Sequence, residues 1–260
     1  MKSQLSFRNC GFIPLLRYSI LIGFILILSC DKSDDNLIKV LYPEATYNID
    51  ILETSDLCFG TNNDVLYTVS DNTAKVYKIT TTGRKLAALQ YTGNDLEGVC
   101  CVDNQYIYVA EERLRKIIKL DLQGNMISEK QISIEQNEEN EGLEGIAYAT
   151  FNQHFYIINE MNPDLLIETD KNLNILNTYD LDFANDYSGI CVDNINQELW
   201  IVSDLSATVS RCNLQGEMIE NYRIPVTNAE GIAYNPTDSI LYVVSDMQAK
   251  LYKFNLKNNE

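Results

Sequence analysis

Short apolar runs rich in Val, Ile, Leu and Tyr, bounded by Asn, Asp and Gly turns, succeed one another from Thr46 to Phe254. Apolar residues do not recur every three and four positions as on an amphipathic helix, so the runs predict β-strands. They also repeat. Five of them open just after a small or acidic signature: Ser55-Asp56-Leu57, Glu97-Gly98-Val99, Glu144-Gly145-Ile146, Ser188-Gly189-Ile190 and Glu230-Gly231-Ile232. Their first residues lie 42, 47, 44 and 42 positions apart, a spacing that marks repeated supersecondary units.

A second strand in each unit ends in an acid: Asp71, Glu112, Glu160, Asp204 and Asp246, spaced 41, 48, 44 and 42 apart. The two landmarks drift together. A third strand follows, and in three units it ends in a turn carrying Gly83, Gly124 or Gly216, where positive φ carries no steric penalty. A fourth strand, such as Lys85 to Tyr91 or Met218 to Ile224, leads into the next unit. The fifth unit runs out of chain before its fourth strand, whereas Thr46 to Leu52 reads as a strand without partners. Pairing these two closes a ring and covers the edges that an open sheet exposes. The expected fold is all-β: a five-bladed β-propeller with four antiparallel strands per blade, closed by an N-terminal strand. A β-sandwich, the main rival, does not require a recurring motif.

Residues 1–29 stand outside this pattern. Lys2, Arg8 and Arg17 precede the apolar stretch Tyr18 to Leu28, and Ile27-Leu28-Ser29-Cys30 has the form of a lipoprotein cleavage site. The apolar stretch is short for a membrane span and suits a signal peptide, with Cys30 as the lipidated residue. Residues 30–40, including Asp31-Lys32-Ser33-Asp34-Asp35-Asn36, then form an acidic tether, and 41–260 the propeller. The expected location is the cell envelope, on the periplasmic face or the cell surface, with the lipid on Cys30 as the membrane attachment. A monomer is expected.

Removing the leader leaves 17 Lys and Arg against 37 Asp and Glu. So acidic a chain does not suit nucleic acid, whose binding relies on neutralising phosphates with basic residues. It favours cations or basic ligands. Cys58, Cys100 and Cys191 fall at the repeat position of Ala147 and Ala233, which predicts small buried thiols on the innermost strands rather than disulfides. The single histidine, His154, precedes a strand and belongs to no metal-binding spacing.

Antiparallel neighbours bring the start of each first strand and the end of each second strand to the same rim. Glu97, Glu144 and Glu230 should therefore border the channel, with Asp71, Glu112, Glu160, Asp204 and Asp246 beside them, and Asp95 and Asp186 two residues before the first-strand landmarks. Carboxylates crowded around a narrow opening must bind protons or a cation. A hard ion with oxygen ligands, calcium above all, suits them. Acids after strands also cap turns, and Asp71, Asp204 and Asp246 are open to that reading. Glu135 to Glu141, which lengthens the third spacing, reads as a solvated acidic loop or a lid on the same face.

The signatures Asp95-Leu96-Glu97-Gly98, Gly142-Leu143-Glu144-Gly145, Asp186-Tyr187-Ser188-Gly189 and Ala229-Glu230-Gly231, with Glu111-Glu112-Arg113 and Asn159-Glu160-Met161-Asn162-Pro163, resemble the SdiA-regulated family over nearly all of residues 40–256. The resemblance implies a five-bladed propeller distantly similar to NHL-repeat proteins, with a calcium site. By motif, the ligands it implies are Glu97, Glu112, Glu144, Glu160 and Glu230, with Asp186 as a further candidate. The first and fourth units depart from it, having Ser55 and Ser188 where the others have glutamate, so the implied site leans toward units two, three and five.

No nucleophile with a paired base is evident. The preferred function is a calcium-binding module of the envelope that recognises a small ligand or another envelope protein. The alternative is a calcium-dependent hydrolase, phytase-like or lactonase- or esterase-like, in which Arg113 is the most plausible phosphate contact. A purely structural scaffold is the third reading, since the fold alone does not choose among these.

Overall fold

The structure is a computed structural model in which residues 39–60, 63–134 and 142–258 are described. The leader, Cys30, the tether up to residue 38 and the acidic segment 135–141 lie outside the described residues. Two short strands come first, β1 (Lys39–Val40) and β2 (Ala45–Asn48). Blade one comprises β3 (Thr54–Phe59), β4 (Val65–Ser70), β5 (Lys75–Thr80) and β6 (Lys85–Thr92). Blade two comprises β7 (Leu96–Val102), β8 (Tyr106–Glu111), β9 (Lys116–Asp121) and β10 (Met126–Gln131). In blade three are β11 (Leu143–Ala149), β12 (His154–Asn159), β13 (Leu165–Thr169) and β14 (Ile175–Asp180), and in blade four β15 (Gly189–Asp193), β16 (Glu198–Ser203), β17 (Thr208–Cys212) and β18 (Met218–Arg223). Blade five supplies β19 (Ala229–Asn235), β20 (Ile240–Ser245) and β21 (Lys250–Asn255).

Each blade is an antiparallel meander, and the fourth strand of blade five is β2, which pairs antiparallel with β21 from Ala45 opposite Lys253 to Asn48 opposite Lys250. The N-terminal strand closes the ring as the repeat arithmetic requires. One pairing has no counterpart in the repeat: β1 runs parallel to β18 as a fifth strand of blade four, and the following Leu41 is buried there. Among the described residues no helix is long and apolar enough to cross a membrane.

The second strands are apolar at nearly every position because both faces of a blade are covered. In β8, Ile107 and Val109 pack against Val69 and Val76 of blade one, whereas Tyr108 and Ala110 pack against Phe155 and Ile157 of blade three. Alternate side chains of one strand thus enter two cores, and the five apolar clusters lie between successive blades. The outermost strands β6, β10 and β14 face solvent and are largely exposed. Gly83, Gly124 and Gly216 adopt φ of 81°, 89° and 82° in the turns before the fourth strands. Cys58, Cys100, Cys101, Cys191 and Cys212 are free thiols, and the first three and Cys191 line a cavity on the face where the first strands end. His154 opens β12, its Nδ1 2.7 Å from Glu168 Oε1.

The five innermost strands β3, β7, β11, β15 and β19 pack in a closed circle. Four carry glycine at the same level, and the spacing at the axis explains it. A Cβ on Gly189 would lie 2.4 Å from the Glu230 carbonyl oxygen, and one on Gly231 2.5 Å from the Asp56 backbone. Blade one has Asp56 at this level, and its side chain fills the space that the four glycines leave. Gly231→Ala should therefore cost roughly 3 kcal/mol or more and lower the thermal unfolding midpoint by about 6–12 °C. A shift below about 2 °C in a melting experiment would show that the axis has slack.

Candidate metal centre

The glutamates at the channel are aimed by β-bulges. In β7 the register runs from Leu96 opposite Glu111 to Gly98 opposite Ala110, leaving Glu97 unpaired; in β11 it skips Glu144 in the same way. β19 skips Glu230 and Gly231, and β3 skips Ser55. A bulged residue leaves the pleat and re-aims its side chain. Asp95 and Asn228, two positions before Glu97 and Glu230, have φ of 57° and 48°.

The acids ending the second strands are locked to the same rim by backbone hydrogen bonds. The amides of Asp71, Glu112, Glu160 and Asp246 donate to the carbonyls of Glu53, Asp95, Gly142 and Asn228, at 2.9 to 3.2 Å. The terminal acid of one blade then meets the bulged glutamate of the next. Oxygens of Glu112, Glu144 and Glu160 all lie within 4.8 Å of one another at the junction of blades two and three, and those of Asp71, Asp95 and Glu97 do so at the junction of blades one and two.

Four of the six residues singled out from the sequence thus fall in these two triads. Asp71 and Asp95, expected at the mouth but outside the ligand set that the resemblance implied, complete the first triad. Glu230 belongs to neither triad; its charged neighbours are Asp246, Asp204, Asp186 and, from the second triad, Glu160. Asp186 is buried and engaged: it accepts hydrogen bonds from the hydroxyls of Ser188 and Ser203 and from the Leu205 amide. Those donors take up the oxygens that a cation would use.

Three carboxylates so close cannot all be ionised without compensation. At 4.8 Å each pair repels by about 3.5 kcal/mol in an effective dielectric of 20. Burial raises the pKa of Glu144 well above the ordinary carboxylate range, and Glu97, Glu160, Glu112 and Glu230 push it further. Glu144 is the carboxyl on which the whole mouth bears. Burial likewise raises Glu97, with the Ser55 hydroxyl opposing and Asp71, Glu112 and Asp95 reinforcing. Glu112 is pushed up to about 7, chiefly by burial, although the Gly142 amide donates to its Oε1 at 3.1 Å. Glu230 is pushed up to about 8 by burial and then by Asp246 and Asp204.

Two arginines offset part of this charge. Arg113 Nε lies 2.7 Å from Asp95 Oδ2 while its own side chain remains half exposed. Arg115, which the sequence reading passed over, is buried beside Glu112 and donates from Nη1 to Asn159 Oδ1 at 2.8 Å. Its mark in the sequence is a departure from the repeat, which has Ala74, Ala207 and Ala249 at that turn position. One guanidinium per triad leaves surplus negative charge. A donor set made wholly of carboxylate oxygens, with backbone carbonyls at hand, fits a hard divalent cation.

Glu112 and Glu230 bind protons more tightly folded than unfolded, so metal-free protein should lose stability as pH rises from about 4.5, the ordinary glutamate value, through about 7 and 8. The measurement is the unfolding midpoint against pH in the presence of a chelator. A rise in stability across that window would mean that the mouth is not strained by its own charge.

Comparison with solved structures places the architecture among propeller-like proteins. Glutaminyl cyclase of Myxococcus xanthus aligns with a TM-score of 0.65 at 11% identity, over 83% of this chain and 97% of that one. Virginiamycin B lyase of Staphylococcus aureus with quinupristin aligns at 0.51 and 17% identity, over 78% and 67% of the two chains. A protein of unknown function from Bacteroides caccae aligns at 0.53 and 13%, over 74% and 70%. At such identities the likeness is one of fold. The model of the SdiA-regulated family matches residues 44–255, from the closing strand to the end of the last blade. The chain belongs to the SdiA-regulated family.

Proposed function

We propose that this protein is an exported, lipid-anchored propeller that binds calcium through the carboxylates of its channel mouth and uses the surrounding rim to recognise a small ligand or an envelope protein. The observation that carries the reading is the pair of carboxylate triads, each assembled across a blade junction and each short of positive charge. Calcium suits them better than magnesium because it takes six to eight oxygens with loose geometry. The proposed ligands are Glu112, Glu144 and Glu160, with Glu97 alongside and Glu230 further round the mouth, while Asp186, engaged by Ser188, Ser203 and Leu205, is left out of the set. Glu144 would join the two triads, since its carboxyl is raised by Glu97 of one as well as by Glu160 and Glu112 of the other.

The rim supports a binding role. Leu52, Leu114, Leu205 and Met247 belong to the connections on this face and are exposed, Leu205 at 63% and Met247 at 71%. Apolar side chains around a charged well provide contact area and orientation for a partner. Attachment through Cys30 would hold the propeller near other envelope components. A calcium-dependent hydrolase remains the second reading, favoured by one observation: the mouth holds two carboxylate triads, so a cation held by Glu112, Glu144 and Glu160 would leave a carboxylate of the other triad, such as Asp71, free to activate water.

Calorimetric titration with calcium should give binding heat for the wild type and at least about tenfold weaker binding for Glu97→Ala with Glu144→Ala, the factor that about 1.4 kcal/mol represents. No heat from the wild type would remove the calcium reading, and chelator-sensitive turnover of phosphate-ester, lactone or aryl-ester substrates would replace the binding module with the enzyme. In cells, Cys30→Ser should release the protein from the membrane fraction. Retention of that variant in the membrane would contradict the lipid anchor.

A further inference from the structure

The innermost strands of a propeller have no further strand to pair with on their inner edge, so their backbone N–H groups at the axis must find other acceptors. Here they find one carboxylate. Asp56 is fully buried. The Leu57 amide donates to its Oδ1 at 2.7 Å and the Val99 amide to its Oδ2 at 2.7 Å, and the amides of Ile232 and Ile146 face it closely enough to lower its pKa. These residues belong to blades one, two, five and three. A single group reached by four of five blades stands on the axis. Each donor follows the shared level of the repeat, where Gly98, Gly145 and Gly231 precede Val99, Ile146 and Ile232.

We propose that this ring of inward-pointing amides is an anion-binding site which the chain fills with its own Asp56 carboxylate, and which takes a small free carboxylate such as formate when that side chain is removed. Both Asp56 oxygens accept from N–H donors at lengths typical of charge-assisted bonds, and these amides oppose the rise in pKa that burial imposes on the carboxyl. Replacement by asparagine would turn an NH2 group toward an amide N–H and leave one donor facing another. Replacement by glycine restores the pattern of the other four blades and leaves the amides buried without an acceptor. Filled by Asp56, the axis is closed at the tight glycine level that lies between the acidic mouth and the thiol-lined cavity.

The experiment is thermal unfolding of full-length wild type, Asp56→Gly and Asp56→Asn over a range of sodium formate concentrations. Asp56→Gly should lose more than about 10 °C and recover at least half of the loss with saturation as formate rises, while the wild type and Asp56→Asn respond only weakly and without saturation. Equal formate responses in all three proteins, or an Asp56→Gly variant as stable as the wild type, would overturn the proposal. Should Asp56→Gly fail to fold without formate, refolding yield with and without formate gives the same reading, and formate-independent failure contradicts it. An independent check uses amide proton shifts in the wild type: Leu57, Val99, Ile146 and Ile232 should resonate well downfield of the other innermost-strand amides. Ordinary shifts at all four would argue against an axial carboxylate acceptor.

Discussion

Five strand edges meeting around an axis with room for one side chain at its tightest level set the terms for this molecule. A closed ring protects the outer edges by pairing β2 with β21, but it brings the inner edges together, where their amides face one another. Glycine at four positions allows the approach, and the Asp56 carboxylate accepts from its own strand and from β7 while the amides of β11 and β19 face it. Burial raises the pKa of that carboxyl, and the four amides oppose the rise. The same interaction holds the blades at one height, so that the bulged residues one position earlier reach the mouth together.

The mouth follows from that alignment. Each bulge lifts a glutamate out of its strand, and each backbone bond from a second-strand terminus carries an acid of the preceding blade to meet it. The result is charge accumulation that the two arginines do not balance. Folding energy is spent in keeping these groups together, as the raised pKa values of Glu112 and Glu230 express. A site that is strained when empty and relieved by a cation is a common arrangement where function outweighs stability.

Much of this was legible in the sequence because the repeat has two landmarks rather than one. Their parallel drift gave the blade count, the strand order and the rim to which the acids belong, and the shortfall in the last unit pointed to the closing strand. The triads were less legible. Which acids meet depends on pairing between one blade and the next, so Glu97 was expected among glutamates and instead joins Asp71 and Asp95. Asp186 carries the right residue type two positions before its landmark, yet its oxygens are taken by Ser188, Ser203 and Leu205. Asp56 was in plain view as the one departure from glycine, but only the converging amides give it meaning. The strand β1 left no trace in the pattern, since two residues carry no period.

The central claim is that the carboxylates of separate blades jointly hold one hard cation. A high-resolution crystal structure grown with calcium tests it most directly. The account predicts an ion between Glu112, Glu144 and Glu160, with oxygens at about 2.3–2.6 Å. A mouth that holds only water at saturating calcium, with the carboxyl groups of Glu112, Glu144 and Glu160 hydrogen-bonded to one another through shared protons, would contradict it.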